Sequence, residues 1–365
     1  MGKIIFTSFL FIHAIIHLPG FVKAFGFADV KQLTQVISRP FGLMWLGAFL
    51  CFVVTAILFA MNNKSWWIFG LISILLSQGL IISFWSDAKY GSIVNGIILI
   101  ACLIGFSTWQ FYRTYQQDAK QGLFQTASLE ESILTEQDIE PLPELIKKYI
   151  RYTGAIGKPR VNNFKIVFKG KIRKDEASGW MPFSSEQYNF MQKSTRLFFM
   201  DAKMKQLPVA GYHRFVDGKA DMDIRLFSLF RVQYQDGPAM DKAETVTFFN
   251  DMCCMAPATL IDDRISWQEV SDTQVNATFT NNGITISAAL IFNTAGELVN
   301  FKSNDRYAAD AAKQLPWSTP LKNYKGINGH KLAGYAEAIY TYPDRDLTYG
   351  VFELSSITYN NKAFK

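Results

Sequence analysis

The chain has 365 residues, 49% of them hydrophobic and 19% charged, with a net charge of +6. That length exceeds one small domain, and the composition excludes a disordered polymer while permitting a large core. The average conceals a division. Residues 1–112 carry six of the 37 basic residues (Lys3, Lys23, Lys31, Arg39, Lys64, Lys89) and two of the 31 acids (Asp29, Asp87). The pattern predicts a multi-domain membrane protein: an all-α four-helix transmembrane bundle over 1–112, a linker or helix extension over 113–141, and a soluble, mainly β domain over 142–360.

Four segments lack any Lys, Arg, Asp or Glu: Ile4–Val22, Phe41–Met61, Trp66–Ser86 and Tyr90–Tyr112. At about 1.5 Å per residue they reach roughly 28–35 Å, the thickness of a hydrocarbon core. Only helices satisfy their own backbone in lipid, so each reads as a transmembrane helix. Tryptophan and tyrosine sit near the segment ends (Trp66, Trp67, Trp85, Tyr90, Trp109, Tyr112), as interfacial anchors do. The first segment is longer than a signal-peptide core and contains His13, His17 and Pro19-Gly20, which favours a retained helix. Lys and Arg divide four against four between the two sides, so the positive-inside rule gives no orientation. The four cysteines form no disulfide framework, which fits a reducing compartment and favours a cytoplasmic soluble domain. His13 and His17, at i and i+4, share one helix face. They read as a polar pair bonded to neighbouring helices through Ser77, Gln78 or Asn95, with metal or haem ligation and proton relay as rival readings.

After residue 112 the composition turns polar, and an acidic stretch with Glu130, Glu131, Glu136, Asp138, Glu140 and Glu144 precedes a short amphipathic helix from Pro143 to Tyr152. From residue 160 the period becomes two. Phe164, Ile166, Phe168 and Ile172 alternate with Lys165, Lys169, Lys171 and Arg173, as a half-buried strand requires. The same alternation recurs near 198–204, 208–216, 220–226, 264–270, 275–279, 284–292, 298–301, 336–342 and 348–359, and Asn281-Asn282-Gly283 is a hairpin signal. The segment 241–254 breaks this period and reads as an inserted helix. The expected fold is a curved antiparallel sheet or partly open barrel with a concave face.

Motifs for phosphate, dinucleotide, nucleophile-elbow or zinc-protease chemistry are absent, so no cofactor or metal is implied. The stretch 147–174 holds ten Lys/Arg and no acid. Lys147, Lys148, Arg151, Lys165, Lys169, Lys171 and Arg173 are therefore candidates for anionic lipid, against an ordinary solvated face. No nucleic acid is expected.

At Trp180-Met181-Pro182-Phe183, followed by Gln187, the chain resembles a family of uncharacterised bacterial proteins, a domain of unknown function with a Trp-x-Pro-Phe…Gln signature. The resemblance runs from Leu142-Pro143 and Arg151-Tyr152 through Val216-Asp217-Gly218, Ala243-Glu244, Pro257, Ile265-Ser266-Trp267, Gly296-Glu297 and Asp305-Arg306-Tyr307 to Trp317. Relatives carry an acid followed by an aromatic in the inserted helix, where this chain has Asp251-Met252. The four-helix part is faintly similar to membrane modules of the DoxX type. The resemblance implies a bacterial protein and no established activity.

Trp180, Gln187, Glu244, Trp267 and Arg306 are the candidate ligand-binding residues. Arg306 would clamp an anionic head and Trp180 or Trp267 cover an apolar body. The alternative has Arg306 paired with Glu244 or Asp305 and the tryptophans in the core. The leading expectation is a β domain that binds a lipid-like or other amphipathic ligand. Its rivals are a membrane-anchored protein-interaction module and an enzyme using Glu244 or Asp251 with Arg306.

Overall fold

The computed structural model describes residues 2–129, 132–308 and 313–364. Two compact units divide the chain at Arg113/Thr114.

The first unit is helical: α1 (Gly2–Ile15), α2 (Leu18–Ala24), α3 (Arg39–Ala60), α4 (Trp66–Ser83), α5 (Trp85–Ala88) and the start of α6 (Gly91–Thr126). Pro19 sits in the first turn of α2, where its missing N–H is harmless, and this breaks the first apolar segment in two. Small residues let the helices approach closely. A Cβ added at Gly20 would meet Trp45 at 2.4 Å, and one at Gly70 would meet the Cys102 thiol at 2.4 Å. Leu10, Phe52, Ala56, Ile98 and Cys102 fill the interior, while Ile5, Ile12, Leu50, Leu75, Ile82 and Ile100 point outward and are exposed. Four stretches are long and apolar enough to cross a membrane: Gly2–Ala24, Arg39–Ala60, Trp66–Ser83 and Gly91–Thr126.

The second unit begins within α6, which continues to Thr126, so residues 113–126 extend a helix. Glu130 and Glu131 of the acidic stretch lie outside the described residues. Two short helices follow, α7 (Glu136–Ile139) and α8 (Glu144–Tyr152). Six strands then form: β1 (Asn163–Ile172), β2 (Met181–Phe190), β3 (Thr195–Met204), β4 (Leu207–Val216), β5 (Lys219–Leu226) and β6 (Phe230–Asp236). The helix α9 (Pro238–Met255) comes next. Seven more strands complete the sheet: β7 (Ile265–Ser271), β8 (Gln274–Asn281), β9 (Ile284–Phe292), β10 (Leu298–Tyr307), β11 (Gln314–Ile327), β12 (His330–Thr341) and β13 (Asp346–Tyr359).

All thirteen strands form one antiparallel sheet in the order β6-β5-β4-β3-β2-β1-β13-β12-β11-β10-β9-β8-β7. The chain builds one half outward from β1, crosses through α9, and returns inward from β7 to β13, which pairs with β1. β6 and β7 remain edges, so the sheet is not closed into a barrel. The curved sheet wraps α9, whose residues from Ala243 to Met255 are all buried. A helix buried on every side shows no amphipathic stripe, which explains its mixed sequence. The outer face of β2–β4 is also covered. Tyr115 of α6 packs against Phe199 and Tyr212, Asp118 accepts hydrogen bonds from Tyr212 (2.7 Å) and Arg214 (3.1 Å), and Gly122 lies under Phe190. Phe199, an outward residue by its alternation, is therefore buried.

Candidate functional site

α9 carries a line of polar side chains through an otherwise apolar interior. Glu244, Thr247, Asn250, Asp251 and Cys254 repeat at helical spacing, so they share one face. That face borders a cavity of about 490 Å³ between the helix and the concave side of the sheet. The opposite wall is apolar. Six of the eleven methionines line the cavity, Met181, Met200, Met204 and Met222 from the sheet and Met240 and Met255 from α9, together with Phe168, Phe198, Trp317 and Phe352. Thioether side chains are unbranched and polarisable, and they adapt to irregular shapes.

The polar side of the cavity is a connected network centred on Arg196. From β3, Arg196 donates to Asp251 (Nε to Oδ2, 2.8 Å), to Glu244 (Nη1 to Oε2, 3.0 Å) and to Gln187 (Nη2 to Oε1, 3.1 Å). Gln187 and Asn189 of β2 donate to the same Asp251 oxygen at 2.7 and 3.2 Å. His213 of β4 approaches Glu244 at 3.4 Å. Burial pushes the Glu244 carboxyl up, but Arg196, His213 and Arg306 outweigh it and hold the group near pKa 2. At Asp251 burial prevails over Arg196, Asn189 and Gln187, and the carboxyl stands above its ordinary value. One acid is fixed as an anion while its neighbour takes a proton more readily.

Arg306 of β10 also borders the cavity. Its Nε donates to Thr247 (3.2 Å), its Nη1 donates to the Tyr340 hydroxyl, and its guanidinium lies 4.8 Å from the Trp317 ring centre. Among the described residues no carboxylate forms an ion pair with it. This corrects the expected pairing with Glu244 or Asp305: Glu244 belongs to Arg196, and Asp305 is held by Lys242 at 2.9 Å.

The five candidates thus divide. Gln187, Glu244 and Arg306 border one cavity, whereas Trp180 and Trp267 do not. Trp180 precedes β2 and stacks with Lys171 (5.0 Å) and Arg173 (4.6 Å), and Trp267 is half-buried on β7. The tryptophan that faces the cavity is Trp317. Arg196, the centre of the network, carries no motif. Its signal in the sequence is a charge at Arg196 in phase with the inward residues Phe198 and Met200.

The basic run has local partners. Lys147 pairs with Glu144 (2.6 Å), Arg151 with Glu136 (2.7 Å) and Lys165 with Glu186 (3.3 Å). Lys148 and Arg173 donate to the carbonyls of Thr294 and Thr348 at 2.7 and 2.8 Å. With Arg160 paired to Asp138 at 2.6 Å, four neighbouring acids balance four of the ten charges in the run.

In the helical unit, His17 Nδ1 donates to the His13 carbonyl (2.9 Å), which can only accept. In the neutral ring Nε2 then accepts from Ser77 (2.9 Å), while His13 Nε2 donates to Asn95 (3.0 Å). Asn95 donates in turn to Ser77 and Gln78, each at 3.1 Å. His13 thus ties α1 to α6, and His17, at the break between α1 and α2, ties the chain to α4.

These features define a class: apolar helices followed by an open antiparallel sheet that curls around a buried helix and a methionine-lined cavity. The chain belongs to DUF6544, a family of unknown function whose model matches residues 132–352. No curated protein matches it. Among solved structures, a DUF1329 family protein from Desulfovibrio piger is similar at 10% identity and a TM-score of 0.35, over 60% of this chain and 93% of that one. A LolA superfamily protein from Nitrosomonas europaea is similar at 9% identity and a TM-score of 0.30, over 59% of this chain and 91% of that one.

Proposed function

We propose that this is a membrane-anchored binding protein whose sheet unit holds an amphipathic, lipid-like ligand, with the apolar body against the methionine wall and the polar end toward Arg306 and α9. The cavity carries the reading. Its 490 Å³ falls within the range of roughly 300–1,000 Å³ found for ligand pockets. Water is a poor filler where most of the wall offers no hydrogen bonds. An amphiphile satisfies both walls at once. Arg306, already braced by Thr247, Tyr340 and Trp317, is oriented to receive an anionic head.

Membrane anchoring rests on the four apolar stretches and on the apolar side chains that coat the outside of the helical unit, where a soluble bundle would carry charge.

The test is extraction of the detergent-purified full chain followed by mass spectrometry of the organic phase. A co-purifying amphiphile near one per chain is expected. Ligand-free protein whose melting temperature is unmoved by added long-chain fatty acid or phospholipid would refute the proposal.

A further inference from the structure

Among the described residues of the second unit nine large apolar side chains are exposed, and six of them lie at one corner of the sheet: Met204, Leu207, Leu229, Phe230, Val232 and Tyr234. They flank two turns. The β3–β4 turn places Lys205 and Gln206 in the left-handed region (φ 49° and 71°), and the β5–β6 turn does the same for Phe227 and Ser228 (φ 54° and 55°). Val209 pairs with Leu226 across β4 and β5, so the two turns emerge at the same end of the sheet. The segments 203–207 and 226–232 contain Lys203, Lys205 and Arg231 and no acid; Arg231 is paired with Asp223 at 2.8 Å, so the two lysines carry the positive charge of the corner. Met204 and Val232 also line the cavity, so this corner is the rim of its mouth.

An apolar patch of this kind on an otherwise polar surface marks an interaction site. Here the apolar side chains project from turns mixed with lysines. That arrangement suits the boundary between headgroups and acyl chains, where apolar groups bury and cations meet anionic lipid. Strand addition would instead use the backbone along the β6 edge.

We infer that this corner docks on an anionic bilayer surface and that the cavity exchanges its occupant with the bilayer there. The inference rests on the reading of the cavity as an amphiphile site, and it adds how the site is filled and emptied: by collision with a lipid surface instead of release through water.

The test uses the full chain in amphipol loaded with a pyrene-labelled fatty acid, mixed by stopped flow with vesicles of phosphatidylcholine with or without phosphatidylglycerol. The transfer rate should rise in proportion to vesicle concentration and rise further with phosphatidylglycerol. Leu229→Ser/Phe230→Ser should slow transfer by about tenfold or more, because two apolar anchors are lost, while leaving probe affinity unchanged. Lys203→Glu/Lys205→Glu, two surface changes that leave the core intact, should abolish the phosphatidylglycerol effect. A rate independent of vesicle concentration, or unchanged in both double variants, overturns the docking inference alone and points to a protein strand at β6. A wild-type chain that binds no probe overturns the cavity reading and this inference with it.

Discussion

Replacing Arg196 with methionine tests whether the buried network is a single electrostatic unit. The guanidinium makes three hydrogen bonds, to Glu244, Asp251 and Gln187, and both carboxylates are buried. Removing the cation leaves Glu244 without its principal counter-charge in a site where its carboxyl otherwise stays near pKa 2. Asp251 escapes more easily, since its carboxyl is already raised and can take a proton. Breaking a buried ion pair by deleting one partner costs about 3–5 kcal/mol. At roughly 2–4 °C per kcal/mol for a unit of this size, the melting temperature should fall by about 10 °C at pH 7. The neutral triple variant Arg196→Met/Glu244→Gln/Asp251→Asn removes the stranded charges and should return to within about 1 kcal/mol of the parent. Thermal unfolding of the full chain in detergent, followed by near-ultraviolet circular dichroism, gives both values. Arg196→Met losing less than about 1 kcal/mol, or the triple variant faring no better than the single, would refute the reasoning.

The acid limb of stability should carry the mark of Glu244. Its folded pKa, near 2, lies below the ordinary 4.5, so its contribution is complete above pH 4.5 and disappears as the pH falls towards 2. The linked free energy is about 3 kcal/mol, and Glu244→Gln should flatten that limb in urea titrations across this range. The raised Asp251 acts with the opposite sign, taking its proton in the folded state first. Arg306→Gln should weaken binding of a long-chain fatty acid by about tenfold or more and spare the corresponding alcohol; equal loss of both by fluorescence titration would remove Arg306 as the head-group site. A Cβ at Gly170 would stand 2.0 Å from the Val351 carbonyl oxygen, so Gly170→Ala should prise β1 from β13 and cost about 3 kcal/mol in thermal unfolding. In the helical unit, Asn95→Leu leaves the His13 Nε2–H without its acceptor and takes one hydrogen bond each from Ser77 and Gln78, and should lower resistance to SDS unfolding by about 1–2 kcal/mol.

The division of the chain, the apolar helices and ten of the thirteen strands follow from local signals: run length without charge, and period two. Those signals survive without knowledge of the fold because each depends on one segment and its solvent. β2, β6 and β11 were hidden for reasons the fold makes plain. On β2 the inward positions after Phe183 are Ser185, Gln187 and Asn189, and the polar groups that serve the network erase the apolar alternation. On β11, Pro316 and Pro320 resemble breakers, yet both sit on the outward side while Leu315, Trp317, Thr319 and Leu321 face in. β6 is an edge strand, with little burial to pattern it.

The candidate site was legible only in part. Gln187, Glu244 and Arg306 could be named as groups able to bind, but their neighbours could not. Arg196 meets Glu244 and Asp251 across 48 and 55 residues of chain, through a sheet half-wound on one side of α9 before the helix is made. The cavity has no sequence counterpart either. Its methionines come from β2, β3, β5 and α9, and each alone reads as ordinary core. Local chemistry determined which segments would become helices and strands. Only the curl of the sheet around α9 decided which charges would meet, because that closeness is a property of the wrapped surface and of no single stretch within it.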